Sequence, residues 1–382
     1  MSNKPMNCPF FRSCGGCKYY HDDYAYSLRE KQKKVNGLLS TYGRVHPIIG
    51  MEDPFRYRNK ATSEVRYDFR KGRHFSGKYS PNSHKVAKIT DCLIESRKSN
   101  EIVNSIVNLM SSFKYQAYDE DRETGLIRHI QVRNNKNMTQ WMVVLVVADY
   151  HFPSKKNFAK ALVKLHPEIR TIVLNLNNNK TSMVLGERNE TIYGPGYLTD
   201  TINDLSFKIS PSSFFQVNNV QTEVIYQKVL QLANLKGTET VLDAYCGIGT
   251  IGMALSGKAK SVIGVELNKD AVRDAIDNAK FNKIENVRFV QADATDYIVD
   301  NDQQLDMVIM DPPRSGSDER FIKALIDQKI NKVVYVSCNP EALANEMDQF
   351  IKGGYRATDF YPIDNFPFTD HVETVVLITR NI

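Results

Sequence analysis

Thr240-Val241-Leu242-Asp243-Ala244-Tyr245-Cys246-Gly247-Ile248-Gly249 begins as an apolar run, meets an acid, and breaks into a glycine turn. It reads as a strand feeding a tight loop, with a helix expected over about Ile251 to Ser256. Outward from it the alternation continues. Ser261 to Glu266 reads as a strand and Lys269 to Ala279 as a helix. Arg288 to Gln291 and Leu305 to Met310 read as further strands. A helix around Asp318 to Asp327 leads to the strand Lys332 to Val336. The helix near Glu341 to Ile351 stops at Gly353-Gly354, and two last strands fit Tyr355 to Tyr361 and Glu373 to Thr379. This predicts an α/β fold, a doubly wound Rossmann-like domain whose sheet is largely parallel and binds ligands at the carboxyl ends of its strands.

Upstream the pattern changes. Turns such as Asn134-Asn135, Asn177-Asn178-Asn179 and Gly194-Pro195-Gly196 punctuate segments rich in β-branched and aromatic residues. Ile130 to Arg133, Gln140 to Ala148, Thr171 to Asn175 and Ser182 to Leu185 are expected to be strands of a mixed sheet. Helices are expected over Tyr24 to Leu39, Lys98 to Met110 and Lys155 to His166. The boundary falls near Ser210 to Ser213, ahead of an amphipathic helix over Val220 to Leu232. The expected domains are an N-terminal α+β region, 1–213, and a C-terminal catalytic domain, 214–382, with part of 18–50 packing on the latter.

The 382 residues include 42% apolar and 25% charged side chains, ordinary for a globular protein, and carry a net charge of +6. The longest apolar run, Trp141 to Ala148, is too short to span a membrane. No signal-type segment opens the chain, so a cytoplasmic protein with no membrane partner and no obligate protein partner is expected. The charge is uneven. Ten Lys or Arg lie between Phe55 and Lys88 against two acids, Glu64 and Asp68, with Tyr57, Tyr67, Phe69, Phe75 and Tyr79 interleaved. Cations neutralise phosphates and aromatic faces stack on unpaired bases, so this stretch fits RNA; it fits equally a solvated basic face of a sheet.

Two groups of residues carry chemistry in the C-terminal half. Glu266 closes the second strand, 23 residues after Asp243, where an acid can accept ribose hydroxyls. The acids Asp243 and Asp293 at strand ends suit the amino group and adenine of S-adenosylmethionine better than a pyrophosphate. Asp311-Pro312-Pro313-Arg314, Ser337-Cys338-Asn339-Pro340 and His371-Val372-Glu373 converge on the same sheet edge. A cysteine in a turn at that edge is a candidate nucleophile.

These motifs, with Phe214-Phe215-Gln216-Val217-Asn218 and the glycine turn, span about 160 residues. In this order the sequence resembles the RNA uridine-5 methyltransferase family, whose members modify bacterial 23S ribosomal RNA or transfer RNA. The resemblance implies that Gln216, Tyr245, Glu266 and Asp311 contact the methyl donor, that Cys338 is the nucleophile and that Glu373 is the base. Thr250 stands where relatives often carry Asn. The partner implied is RNA, 23S ribosomal RNA first and transfer RNA as the alternative. Such chemistry needs a thiolate at carbon 6 of uracil to make carbon 5 nucleophilic, and a base to remove the carbon-5 proton afterwards. The N-terminal stretch has no dinucleotide glycine motif, which counts against a flavin-dependent route to the same product. Cytosine-5 methylation uses a different cysteine arrangement, and an adenine amino-methyltransferase usually has an aromatic where Arg314 stands. A rival of another class is an iron–sulfur RNA-binding factor with an inactive methyltransferase domain; the retained Cys338 and Glu373 argue against it.

Cys8, Cys14 and Cys17 form Cys-x5-Cys-x2-Cys, with Cys92 far along the chain. Four thiolates can hold zinc or an iron–sulfur cluster, and three clustered ligands with one remote suit a cubane better than two close pairs would. Members of the same family carry a [4Fe-4S] cluster on this pattern, which makes these four the expected metal ligands. Some relatives of the ribosomal branch carry a small β-barrel RNA-binding domain ahead of the cysteines; this chain, starting seven residues before Cys8, is expected to lack it.

Overall fold

A computed structural model describes residues 7–19, 22–83, 85–181, 183–301 and 303–381. Helix α1 (Tyr24–Leu39) and the short strand β1 (Arg44–Val45) come first. Strands β2 (Lys60–Asp68), β3 (Arg73–Tyr79), β4 (Val86–Lys88), β5 (Ile127–Asn134), β6 (Trp141–Val147), β7 (Ile169–Leu176) and β8 (Arg188–Tyr193) form one sheet, in the order β4-β3-β2-β5-β6-β7-β8. It is mixed: β6 and β7 run parallel and the other pairs antiparallel. Helices α2 (Arg97–Ser112) and α3 (Lys155–Leu165) cover one face and share a core with Val65, Ile130, Val143 and Leu174. A two-stranded ribbon, β9 (Leu198–Ile202) and β10 (Leu205–Ile209), leads on to helix α4 (Asn219–Ala233).

The remaining elements alternate: β11 (Thr240–Ala244), α5 (Thr250–Ser256), β12 (Ser261–Glu266), α6 (Lys269–Phe281), β13 (Val287–Gln291), α7 (Ala294–Asp300), β14 (Met307–Met310), α8 (Glu319–Asp327), β15 (Lys332–Ser337), α9 (Pro340–Lys352), β16 (Tyr355–Ile363) and β17 (Glu373–Arg380). Their sheet has the order β1-β16-β17-β15-β14-β11-β12-β13. Strands β11 to β15 are parallel and nearly continuous apolar runs, because helices cover both faces. Strand β17 is antiparallel to β15 and β16, so it begins where its neighbour β15 ends. The strand order reverses between β11 and β14, the crevice where an open α/β sheet binds its ligand. This is the doubly wound Rossmann-like architecture expected from the alternation.

Chain order and spatial order part company at the N-terminus. Strand β1 pairs in parallel with β16 at the edge of the C-terminal sheet. Val35 and Leu39 of α1 sit in the same core as Phe350 and Tyr355. One expected strand is not there: residues 183–185 lie in a loop, and Ser182 is outside the described residues. The Asn177 side-chain amide donates to the carbonyls of Met183 and Val184, fixing that loop in place of a ladder.

Candidate active site

The parallel register sets the site. Ala244 pairs with Val265 on one side and Met310 on the other, so Tyr245, Glu266 and Asp311 emerge together at the carboxyl edge. Ser337 pairs with Thr374 across the antiparallel β15–β17 ladder. The next residues outward, Cys338 and Glu373, therefore lie side by side. The turn after β11 is sharply wound: Tyr245, Gly247 and Gly249 have φ of 61°, 55° and 80°. A non-glycine residue in this region is uncommon and clusters at functional sites. At Gly249 a Cβ would stand 2.5 Å from Phe289, so the turn has no room for a side chain.

Gln216, Asp243, Tyr245, Thr250 and Asp311 line one narrow crevice of about 40 Å³. Phe214, 66% exposed, lies at its mouth. Asp243 is buried and accepts from the amide of Gly252 at 2.7 Å, fastening β11 to α5. Thr250 shares a hydrogen bond with the Tyr226 hydroxyl. Two expected donor contacts stand outside the crevice lining. Glu266 accepts from the amides of Gly247 at 3.1 Å and Asn268 at 2.7 Å, so its carboxylate shapes the turn. Asp293 caps α7 through the amides of Thr295 and Asp296.

Burial dominates the electrostatics. Asp311 is pushed up to about 7 by burial. Asp243 is raised to about 7 by the same cause, against the Gly252 hydrogen bond and with Asp311 and Glu266 adding repulsion. Glu373, 3% exposed, is raised to about 8 by burial and by Asp311, while a hydrogen bond from Asn365 pulls the other way. One Glu373 carboxyl oxygen, Oε2, has no partner. The Cys338 thiol is raised to about 11 by burial and then by Glu373 and Asp311; its own backbone amide and Arg314 oppose this. Burial and mutual repulsion thus make the site hold negative charge poorly.

Residues that sequence reasoning passed over complete it. Asn365 is fully buried on the loop between β16 and β17. Its amide donates to Gln216 Oε1 at 3.2 Å, and its nearness opposes the upward shift of Glu373, so it lies between the crevice and that carboxyl. Nothing periodic marks a loop Asn. Tyr226 carries a weak sequence signal, a hydroxyl on the buried face of amphipathic α4.

Cys8, Cys14, Cys17 and Cys92 line a second cavity, of about 380 Å³, with Arg58, Lys60 and Lys78. Burial raises Cys17 to about 12, and Cys92, Cys14 and Cys8 add to the shift, which reflects their closeness. Burial and Glu95 raise Cys92 to about 12 as well. Among the described residues no three His, Cys, Asp or Glu side chains are drawn together as a metal ion would need.

The tRNA (uracil-5-)-methyltransferase family model matches residues 23–381 of the chain. A protein of Halalkalibacterium halodurans named as an RNA methyltransferase is 39% identical over 379 residues, covering 97% of this chain and 82% of its own. One from Caldanaerobacter subterraneus subsp. tengcongensis, also so named, is 38% identical over 380 residues, covering 98% and 84%. Among solved structures, the Pyrococcus abyssi tRNA (uracil-54, C5)-methyltransferase in complex with S-adenosyl-L-homocysteine superposes with a TM-score of 0.80 at 27% identity, covering 97% of this chain and 86% of that one.

Proposed function

Because the chain belongs to the tRNA (uracil-5-)-methyltransferase family, we propose that it transfers the methyl group of S-adenosylmethionine to carbon 5 of a uridine in RNA, with Cys338 as nucleophile and Glu373 as base. The observation that carries this reading is the β15–β17 register, which sets a thiol beside a buried carboxyl at the sheet edge next to the crevice. The Cys338 thiol loses its proton to solvent and the thiolate adds to carbon 6 of uracil; the electron pair of the 5,6 double bond moves onto the ring as an enolate, making carbon 5 nucleophilic. Carbon 5 takes the methyl as the donor's carbon–sulfur bond breaks, leaving neutral S-adenosylhomocysteine. Glu373 then takes the carbon-5 proton, and the electrons of that bond expel the thiolate. Gln216, Tyr245, Thr250, Asp243 and Asp311 would hold the donor, with Glu266 and Asp293 shaping the loops around it. The donor's sulfonium would favour the ionised form of the site's buried acids.

RNA containing 5-fluorouridine tests the scheme, since fluorine cannot leave as a proton does. Wild type should form a covalent adduct and Cys338→Ala none; normal turnover by Cys338→Ala would exclude the mechanism. On the sequence resemblance the substrate is 23S ribosomal RNA. The family description and the Pyrococcus structure favour a second reading, transfer RNA. Mapping 5-methyluridine in both RNAs, from cells with and without the gene, separates the two.

The four cysteines are proposed to bind a [4Fe-4S] cluster. Their common cavity supports this, as does Arg58 in its lining, because a cluster on four thiolates carries net negative charge; Lys78 there is already ion-paired with Glu95. The cluster's part would be structural: to hold residues 8–17 beside the catalytic region. Anaerobically prepared protein should contain iron and sulfide with visible absorption, and Cys14→Ser should lose both.

A further inference from the structure

Structure divides the basic, aromatic stretch between Phe55 and Lys88 into two populations. Tyr57 is buried and Phe75 half-buried, but Tyr67 and Phe69 stand 39% and 75% exposed at the far end of the β2–β3 hairpin. Asp68 pairs with Arg73 and Tyr67 with His74, so Phe69 to Gly72 form the tip. Phe69 meets Tyr67 edge-on at 5.1 Å, and Tyr67 meets His74 at 5.0 Å. These rings form a ridge with a depression on each side. The larger, about 600 Å³, is lined by Tyr67, Phe69, His74, Lys114, Asp119 and Arg122, the last two ion-paired with each other. The smaller, about 270 Å³, shares Tyr67, Phe69 and Asp119 but adds Glu120 and Asp121, which disfavour a phosphate.

The cations of the tip are uncommitted. Arg70, Lys71 and Arg73 are exposed, and no carboxylate among the described residues is ion-paired with them. Asp68, the nearest acid in sequence, accepts the amides of Arg70 and Lys71, so it is engaged in the turn. An exposed aromatic face beside unpaired cations costs hydration free energy unless something covers it, and the pairing matches single-stranded nucleic acid: a stacking face and a charge for the backbone.

We propose that the Tyr67–Phe69 ridge is a docking site for an unpaired base of the RNA substrate, seated in the larger depression with its phosphates on Arg70, Lys71 and Arg73. This rests on RNA being the substrate and adds where else the RNA is gripped. The ridge is far from the chemistry. Strand β2 starts beside Asn59, whose side chain donates to the Gln216 carbonyl, and runs nine residues to Asp68. At 3.3 Å per residue that separates ridge and crevice by about 30 Å. The enzyme therefore selects an RNA that offers an unpaired base about 30 Å from the target uridine, and a short oligonucleotide around the uridine cannot reach both.

Phe69 is a surface residue, so Phe69→Ala tests the ridge without threatening the fold. The measurements are binding and methylation of RNA purified from cells lacking the gene, with a short uridine-containing oligonucleotide in parallel. Phe69→Ala should weaken binding and raise KM for the long RNA roughly 10- to 100-fold, the loss expected for one stacked base. Its kcat should stay within about twofold, and its activity on the short oligonucleotide should be unchanged. Phe69→Trp should restore the affinity. Unaltered binding in Phe69→Ala, or a Trp variant as weak as the Ala one, overturns the proposal. Wild type that binds the RNA without methylating it would overturn the proposed activity instead, and the binding comparison would still test the ridge.

Discussion

Burial holds Glu373 and Cys338 mainly neutral near pH 7 in the free protein, and Asp311, pushed up to about 7, is about half protonated there. A sulfonium in the adjoining crevice would draw protons off the two carboxyls, leaving Glu373 ionised as the proposed base role requires. Donor binding at pH 7 to 7.5 should therefore release on the order of one proton, read by calorimetry in buffers of different ionisation enthalpy. S-adenosylhomocysteine, with a neutral sulfur, should release clearly less; equal release would dissociate the carboxyls from the donor charge. Stability follows the same acid. The Glu373 carboxyl titrates near 8 when folded against an ordinary 4.5, so between those values the folded chain holds a proton that the unfolded chain has lost. Its contribution is whole below pH 4.5 and disappears as pH rises through 8, a change of a few kcal/mol at most. Urea unfolding of Glu373→Gln should show a flatter decline of stability across that window. In catalysis the same variant should accumulate the methylated adduct. Loss of the adduct with RNA and donor still bound would remove Glu373 from the base role. The placement of Cys338 and Glu373 at the sheet edge could be read from the sequence because one follows the end of a strand and the other opens one, each within a motif. Asn365 could not, because its importance lies in two partners that only the fold brings near.

Among the elements, one buried ion pair does more than its neighbours. Lys31 of α1 donates to Asp364 at 2.6 Å and to the Phe366 carbonyl at 2.9 Å, and the Tyr24 hydroxyl donates to Asp364 at 2.6 Å. The amides of Lys18 and Tyr19 donate to the Phe368 carbonyl. The loop from Asp364 to His371, which delivers Glu373, is thus held by the first forty residues. Asp364→Ala would leave the Lys31 ammonium buried and alone, costing about 3–5 kcal/mol in denaturant unfolding. The double change Lys31→Met with Asp364→Leu should recover most of it, while kcat stays low if the loop's polar grip is what positions Glu373. The α/β alternation was legible because buried parallel strands are unbroken apolar runs and their helices carry caps. The elements β1, β2, β3, β4, β8, β9, β10 and α7 were not: most are two to seven residues long, and β2 and β3 carry the charges and aromatics of the basic stretch in place of a clean apolar period.

In the whole molecule, the division at 213 cuts through a shared core, since α1 and β1 complete the C-terminal sheet. Residues 214–382 made alone should be poorly soluble, with the apolar seat of Val35 and Leu39 uncovered. Joining residues 24–50 ahead of them by a flexible linker should raise solubility and give a cooperative thermal transition; no gain would show that the seat is dispensable. The same closure has a consequence for synthesis. Arg44 and Val45 leave the ribosome more than three hundred residues before their partners Asp359 and Phe360. The apolar stripe of α1 must wait, uncovered, through nearly the whole of translation, because its partners lie more than three hundred residues on. Glu373, the proposed base, opens the last strand, so nascent chains cut short before it should be inert, and the waiting helix is where a chaperone would hold them.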